Sequence, residues 1–196
     1  MKKPCHWLYA AVPPTAAFFS FLLLVQALWI PLKAELAQWL IERSWQETLA
    51  GEAQSRPWPW ADTRPAAVLW IPSQGVRQLV LEGNSGRNLA FGPVFLDGTS
   101  NGRDRVISGH RDTHFRFLAA LREGELIRLT TRHASQWFEV REMEVVDSRY
   151  QELFIEPGLE RISLVTCFPF DPLQAGGPLR YVVTALPVSP RQLSSG

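Results

Sequence analysis

From about Trp7 to Leu32 the chain carries no charged side chain, with Lys2 and Lys3 ahead of the run and Lys33 behind it. Counted only from Thr15, after Pro13 and Pro14, a helix reaching Leu32 is roughly 27 Å long at about 1.5 Å per residue, close to a hydrocarbon core of about 30 Å. The stretch therefore reads as a membrane anchor, residues 1–32 forming a cytoplasmic tip and a transmembrane helix. A cleaved signal peptide is the rival reading. It is disfavoured by the length of the run and by Ala27-Leu28-Trp29, which makes a poor small-x-small cleavage site. Lys2 and Lys3 favour a cytoplasmic N-terminus, although Lys33 and Arg43 on the other flank weaken the bias. Everything after Leu32 is then expected on the extracytoplasmic, periplasmic side of the inner membrane, with membrane lipid as a partner of the anchor.

Beyond the anchor the 196-residue chain has room for one domain, and 46% hydrophobic residues supply a core for it. A net charge of +1 with scattered basic residues gives no footprint for nucleic acid, and that class of partner is set aside. Only two cysteines are present, Cys5 before the span and Cys167 after it, so no disulfide between them is expected. An unpaired thiol in an exported domain is either an inert buried residue or one kept for its reactivity.

Residues 33–57 read as an extracytoplasmic helix and a proline-containing linker. Leu32, Leu36, Trp39 and Leu40 share one helical face, Gly51 is placed to end the helix, and Pro57 and Pro59 forbid regular structure after it. Trp58 and Trp60 are expected to dock the linker on the domain. From residue 58 to 188, apolar runs alternate with Gly, Pro, Asn and Asp: Ala67 to Ile71, Val76 to Leu81, Arg105 to Ser108, Leu126 to Thr130, Trp137 to Val146, Ile162 to Cys167 and Tyr181 to Leu186. One helical candidate, Thr113 to Leu121, interrupts them. The rhythm predicts a mainly β domain, a barrel or sandwich of about seven to eight strands with short helices, and a frayed tail over 189–196.

Two predicted strands end on chemically active side chains. Ile162 to Cys167 delivers the thiol next to Phe168-Pro169, and Val106-Ile107-Ser108-Gly109-His110 delivers an imidazole after a glycine. A thiol is mostly protonated near neutral pH and needs a base or a cation beside it to attack a carbonyl. Arg180 opens the last strand, and its planar guanidinium suits a developing oxyanion. Taken singly, His110 could be an ordinary loop residue and Arg180 a surface one; together with Cys167 they form a plausible set.

In this order and context, strand-Gly109-His110, then Leu164-Val165-Thr166-Cys167, then an arginine thirteen positions on, the chain resembles the sortases. Ser108 to Phe115, Cys167 to Asp171 and Gly176 to Tyr181 resemble the proteobacterial, GN-type branch, while Ser163 stands where threonine is frequent. The resemblance implies a closed β-barrel over about Trp58 to Leu186 and a two-step acyl transfer. Cys167 would cleave an LPxTG-like sorting signal on a substrate protein through a thioacyl intermediate, His110 would act as acid and base, and Arg180 would stabilise the intermediate. An amine would accept the acyl group. It also implies substrate contacts from Thr166, Arg111, His114 and Phe168, and no cofactor.

Other readings have less support. His110 and His114, four apart with Asp112 between them, have a zinc-like spacing but lack an evident third ligand, so no metal is expected. Gly83 to Pro93 is glycine-rich but lacks the phosphate-loop pattern and its lysine. An endopeptidase that releases its product to water uses the same three residues. An anchored peptide-binding module would explain the anchor and the barrel, but not the solitary exported thiol.

Overall fold

The computed structural model describes residues 14–52, 55–83, 85–150, 155–156, 158–171 and 177–189. The basic tip with Lys2, Lys3 and Cys5, Asn84 of the glycine-rich segment, Gly176 and the tail from residue 190 lie outside the described residues. Helix α1 runs Pro14–Leu49, and the chain divides into two compact units, Met1–Ala37 and Gln38–Gly196.

In the first unit, Phe18, Phe19, Leu23, Leu24 and Ile30 are all exposed, and the helix is long and apolar enough to cross a membrane by length and composition. Proline at the start of α1 costs nothing, because the first turn has no hydrogen-bond partner for its N–H.

The second unit is a closed barrel of eight strands: β1 (Pro65–Ile71), β2 (Val76–Leu81), β3 (Val94–Phe95), β4 (Asp104–Ser108), β5 (Leu126–Thr131), β6 (Ser135–Asp147), β7 (Arg161–Cys167) and β8 (Leu179–Val188). Around the barrel the order is β1-β2-β3-β4-β7-β8-β6-β5, with β5 pairing back onto β1. Alternation explains the closure: Ala67, Leu69 and Ile71 of β1, Ile127 and Leu129 of β5, Ile162 and Leu164 of β7, and Val183 and Ala185 of β8 point into one core. Both β2–β3 and β4–β7 are parallel pairs.

The expected strands are all present, and one more was not anticipated. Strand β3 has two residues, too few to show a period. Thr113 to Leu121 is not an α-helix; turns lead into a short 3-10 helix at Arg116–Ala119, whose Leu118 fills the core with Phe115. Gly51, at φ 108, follows the end of α1. The helix residues that belong to the barrel unit use another face than the apolar stripe read from sequence. Ile41 and Trp45 are buried, Ile41 against Leu81 and Val94, while Trp39 remains exposed.

Candidate active site

Strands β4, β7 and β8 lie side by side, and their registers bring three chain segments to one level. Cys167, the last residue of β7, pairs across the antiparallel ladder with Arg180 of β8. On the other side of β7, Ser108 is the partner of Val165 in the parallel β4 ladder. The pairing continues past the strand end, because Gly109 N–H donates to Val165 O at 3.1 Å and the Thr166 hydroxyl donates to Gly109 O at 2.8 Å. His110 follows immediately, one residue past the Gly109 that bonds to Val165 and Thr166.

These residues belong to the outer surface of the barrel. Val165 and Val182 are register partners and form a small cluster with Val106, separate from the main core. Cys167 and Arg180 lie two residues further along their strands, so they share that outward face. Cys167 and His110 are exposed and Arg180 half-buried.

The loop that carries His110 is tightly closed. Its carbonyl accepts the Phe115 N–H at 2.9 Å, and the Phe115 ring, itself fully buried, lies flat against Gly109. A Cβ on residue 109 would sit 2.7 Å from that ring, so only glycine fits beside His110.

Arg111 points back across the site. It forms a two-pronged ion pair with Asp112, Nε to Oδ1 at 2.7 Å and Nη2 to Oδ2 at 2.8 Å, while Nη1 donates to Pro169 O at 2.8 Å. With its side chain only 10% exposed, Arg111 is occupied by the protein itself. Its bonds to Asp112 hold the arginine above its ordinary pKa and the carboxyl below its own.

The other residues expected to touch substrate fall in different places. Thr166 is buried, its hydroxyl engaged with Gly109. Phe168 stacks on Tyr181 at 6.1 Å, and Phe170 meets both rings edge-on; Phe170 and Tyr181 pack against the main core, on the opposite face of the sheet from Arg180. Burial pushes the Tyr181 hydroxyl up. His114 is half-buried; desolvation holds its pKa below the usual value against the opposing hydrogen bond to the Ala90 backbone. Arg180 donates through Nη1 to Gly177 O at 2.6 Å and Leu179 O at 2.9 Å. Among the described residues no group of three or more His, Cys, Asp or Glu could hold a metal ion.

Sequence reasoning missed the ion pair that sets this register. Asp104 opens β4 and Arg161 opens β7; they are ladder partners, and the buried Asp104 carboxylate accepts two bonds from Arg161 and one from the Glu156 N–H. A buried acid in a strand gives no local signal until its partner, far away in sequence, is known. Asp112 entered the sequence reading only as part of a metal spacing, and its pairing with the next residue depends on a turn that spacing does not show.

Three comparisons with known proteins bear on the site. A family model described as "Sortase domain" matches residues 69–188. Sortase D of Bacillus subtilis (strain 168) is 28% identical over 123 residues, 60% of this chain and 61% of the relative. Sortase A from Corynebacterium diphtheriae superimposes with a TM-score of 0.58 at 25% identity, over 66% of this chain and 63% of that one. Sortase C-1 from Actinomyces oris gives 0.56 at 27% identity, over 65% and 76% respectively. The barrel of a Clostridium perfringens Sortase D5 transpeptidase is similar in fold, with a TM-score of 0.63 at 20% identity over 79% of this chain and 99% of that one. The match thus spans less than two thirds of the Bacillus and Corynebacterium relatives.

Proposed function

The chain belongs to the sortase family, and on that premise we propose that it is a membrane-anchored cysteine transpeptidase acting on an LPxTG-like sorting signal. The observation that carries this reading is the pairing of the exposed Cys167 with Arg180 across β7 and β8, and of Ser108 and Gly109 with the strand that ends on Cys167, so that the segment leading into His110 runs beside the thiol-bearing strand.

In the first step the Cys167 thiolate attacks the carbonyl carbon of the Thr-Gly bond. His110, as imidazolium, gives its proton to the departing amine as the C–N bond breaks, leaving a thioester on the sulfur. In the second step neutral His110 takes a proton from an incoming amine, whose nitrogen attacks the thioester and expels the thiolate. Arg180 has one guanidinium nitrogen occupied by Gly177 and Leu179. That anchoring fixes the plane of the guanidinium and leaves Nε and Nη2 as donors toward the substrate oxygen, where negative charge gathers in the tetrahedral intermediate.

Phe168, the residue after Cys167, joins Phe170 and Tyr181 in an aromatic cluster whose Phe170 and Tyr181 pack on the core, which holds the chain just past the nucleophile. Thr166 and Arg111, whose polar groups are engaged within the protein, act on the loops and not on the peptide. The exposed apolar N-terminal helix supports anchorage of the enzyme in the inner membrane, with the barrel on its extracytoplasmic side.

The test is product analysis with an LPxTG-like peptide, with and without an added amine. Transfer product that requires the amine and disappears in Cys167→Ala supports the proposal. Hydrolysis alone, unaffected by any amine, would make the protein an endopeptidase, and peptide binding without turnover would make it a binding module.

A further inference from the structure

Across the barrel from the proposed catalytic residues, the outer face carries a cluster that acyl transfer leaves unused. In the strand order, β5 stands halfway round from β4 and β1 halfway round from β7. Register puts Trp70 of β1 opposite Arg128 of β5, and Arg128 opposite Trp137 of β6. Their sequence neighbours Leu69, Ile71, Ile127, Leu129 and Phe138 fill the core, so these three side chains point outward, each half-buried. The indole centroids are 5.7 Å apart, and the Arg128 guanidinium carbon lies over both rings, 4.4 Å from Trp70 and 5.4 Å from Trp137. Stacking engages the face of a guanidinium and leaves its in-plane N–H groups to find acceptors. Here Nε is buried without one, and no carboxylate or carbonyl among the described residues bonds to Arg128. The carboxylates bordering the row are engaged elsewhere: Glu125 accepts from Ser73 Oγ at 2.7 Å, and Glu139 pairs with Arg141 at 2.9 Å. Trp70, Pro72, Ser73, Leu126, Arg128 and Trp137 line a cavity of about 610 Å³.

The same row leads to the helix that carries the apolar run. Arg77 of β2 is the register partner of Trp70, and its guanidinium donates to Glu42 of α1 at 2.8 and 3.1 Å. Glu42 is ten residues past Leu32, so even a fully extended chain would put no more than about 35 Å between them. We propose that Trp70, Arg128 and Trp137 form a headgroup site for an anionic phospholipid of the membrane that holds the N-terminal helix. The lipid phosphate supplies acceptors for the unpaired guanidinium N–H groups, and its apolar part lies in the cavity against Leu126 and the two indoles. Tryptophan beside a cation suits this position, because an indole is apolar over its body and polar at its tip. Seated by this face, the barrel turns the strands that lead to Cys167 and His110 away from the headgroups. The inference rests on reading the N-terminal helix as a membrane anchor.

The experiment is hydroxyl-radical footprinting of the full-length protein in nanodiscs, one set of phosphatidylcholine alone and one of phosphatidylcholine and phosphatidylglycerol in equal parts. Oxidation is read residue by residue by mass spectrometry, with Trp60, 81% exposed and outside the row, as the internal reference. Trp70 and Trp137 are expected to oxidise about fivefold more slowly in the anionic discs, the preference that one basic side chain gains at an anionic surface. Arg128→Gln is expected to abolish the difference between the discs, and Arg128→Lys, which keeps the charge without the stacked plane, to retain part of it. Oxidation that is the same in both discs, or protection in neutral discs reproduced by inorganic phosphate, would give the face to a second copy or a free anion and overturn the proposal; neither comparison needs a variant to fold. Protection that persists in folded Arg128→Gln would also overturn it. A chain that enters neither disc would refute the anchor reading and the site with it, whereas one that enters both with its indoles unprotected refutes the site alone.

Discussion

Single residues around His110 do their work through shape and solvation more than through charge. Gly109 is the clearest case, because the Phe115 ring occupies the space of a Cβ and is itself buried on all sides. Gly109→Ala must displace either the ring or the loop. We expect a loss of about 1–3 kcal/mol, typical of overpacking a filled site, with a drop in kcat that exceeds the change in thermal stability; denaturant unfolding alongside single-turnover kinetics measures both. His114 makes a different prediction. Its folded pKa is held below the unfolded value by desolvation, so the unfolded chain binds more protons in between. Its contribution to stability is present above the unfolded value of about 6.5 and is lost as pH falls through the folded one. The melting temperature should therefore decline on acidification from about pH 6.5, and His114→Gln should remove that part of the slope. At this scale the placement of Cys167, His110 and Arg180 at or beside strand ends was legible in sequence, because each closes or opens a short apolar run. The contact of Phe115 with Gly109 and the fork of Arg111 were not, since both depend on a closed turn whose path no residue period encodes.

Pairs of elements determine whether those side chains meet. Strands β4 and β7 run parallel, and parallel ladders have no tight hairpin to fix their register. Here Asp104 and Arg161 supply the fixed point at one end of the ladder, and Thr166 with Gly109 supplies it at the other. The Asp104 side chain is fully buried and that of Arg161 only 20% exposed, so the pair is broken at high cost. Asp104→Ala should destabilise the barrel by roughly 3–5 kcal/mol, and calorimetry of the variant checks this. Strand runs such as Val76 to Leu81 were readable because apolar residues recur with a period of two or fill a short bounded run. Strand β3 escaped notice for want of length, and Thr113 to Leu121 suggested a helix because its apolar spacing is also satisfied by turns followed by a 3-10 segment. In β7, Val165 faces outward and is still buried, under a cluster with Val106 and Val182. That second covered face explains why apolar Val165 follows inward-facing Leu164, so that the run leading to Cys167 does not alternate strictly between apolar and exposed residues.

At the scale of the molecule, a helix long and apolar enough to cross a membrane is continuous in sequence with a closed barrel, and the final turns of the same helix belong to the barrel unit. Residues 33–57, expected to be an outward helix and linker, contribute Ile41 and Trp45 to the buried interior of that unit. A protein beginning at Gln38 should fold, whereas one beginning at Trp58 should lose on the order of 2 kcal/mol for each of those two side chains and melt correspondingly lower. Thermal unfolding of the two truncations decides between a spacer and a structural part. The barrel architecture and family were legible because seven strand runs, with a histidine, a cysteine and an arginine at their ends, occur in one order. The role of the helix end was hidden because its buried face, Ile41 with Trp45, is shorter than the exposed stripe of Leu32, Leu36 and Trp39 beside it. The proposed transpeptidase activity depends above all on one covalent event, acylation of the exposed sulfur at the end of β7. Intact-mass analysis of the full-length protein with LPxTG-like peptides, followed by mapping of the modified residue, tests it directly. The expected result is a peptide acyl adduct on Cys167 that an added amine discharges. An adduct on another residue, or transfer product that persists in Cys167→Ala, would contradict it.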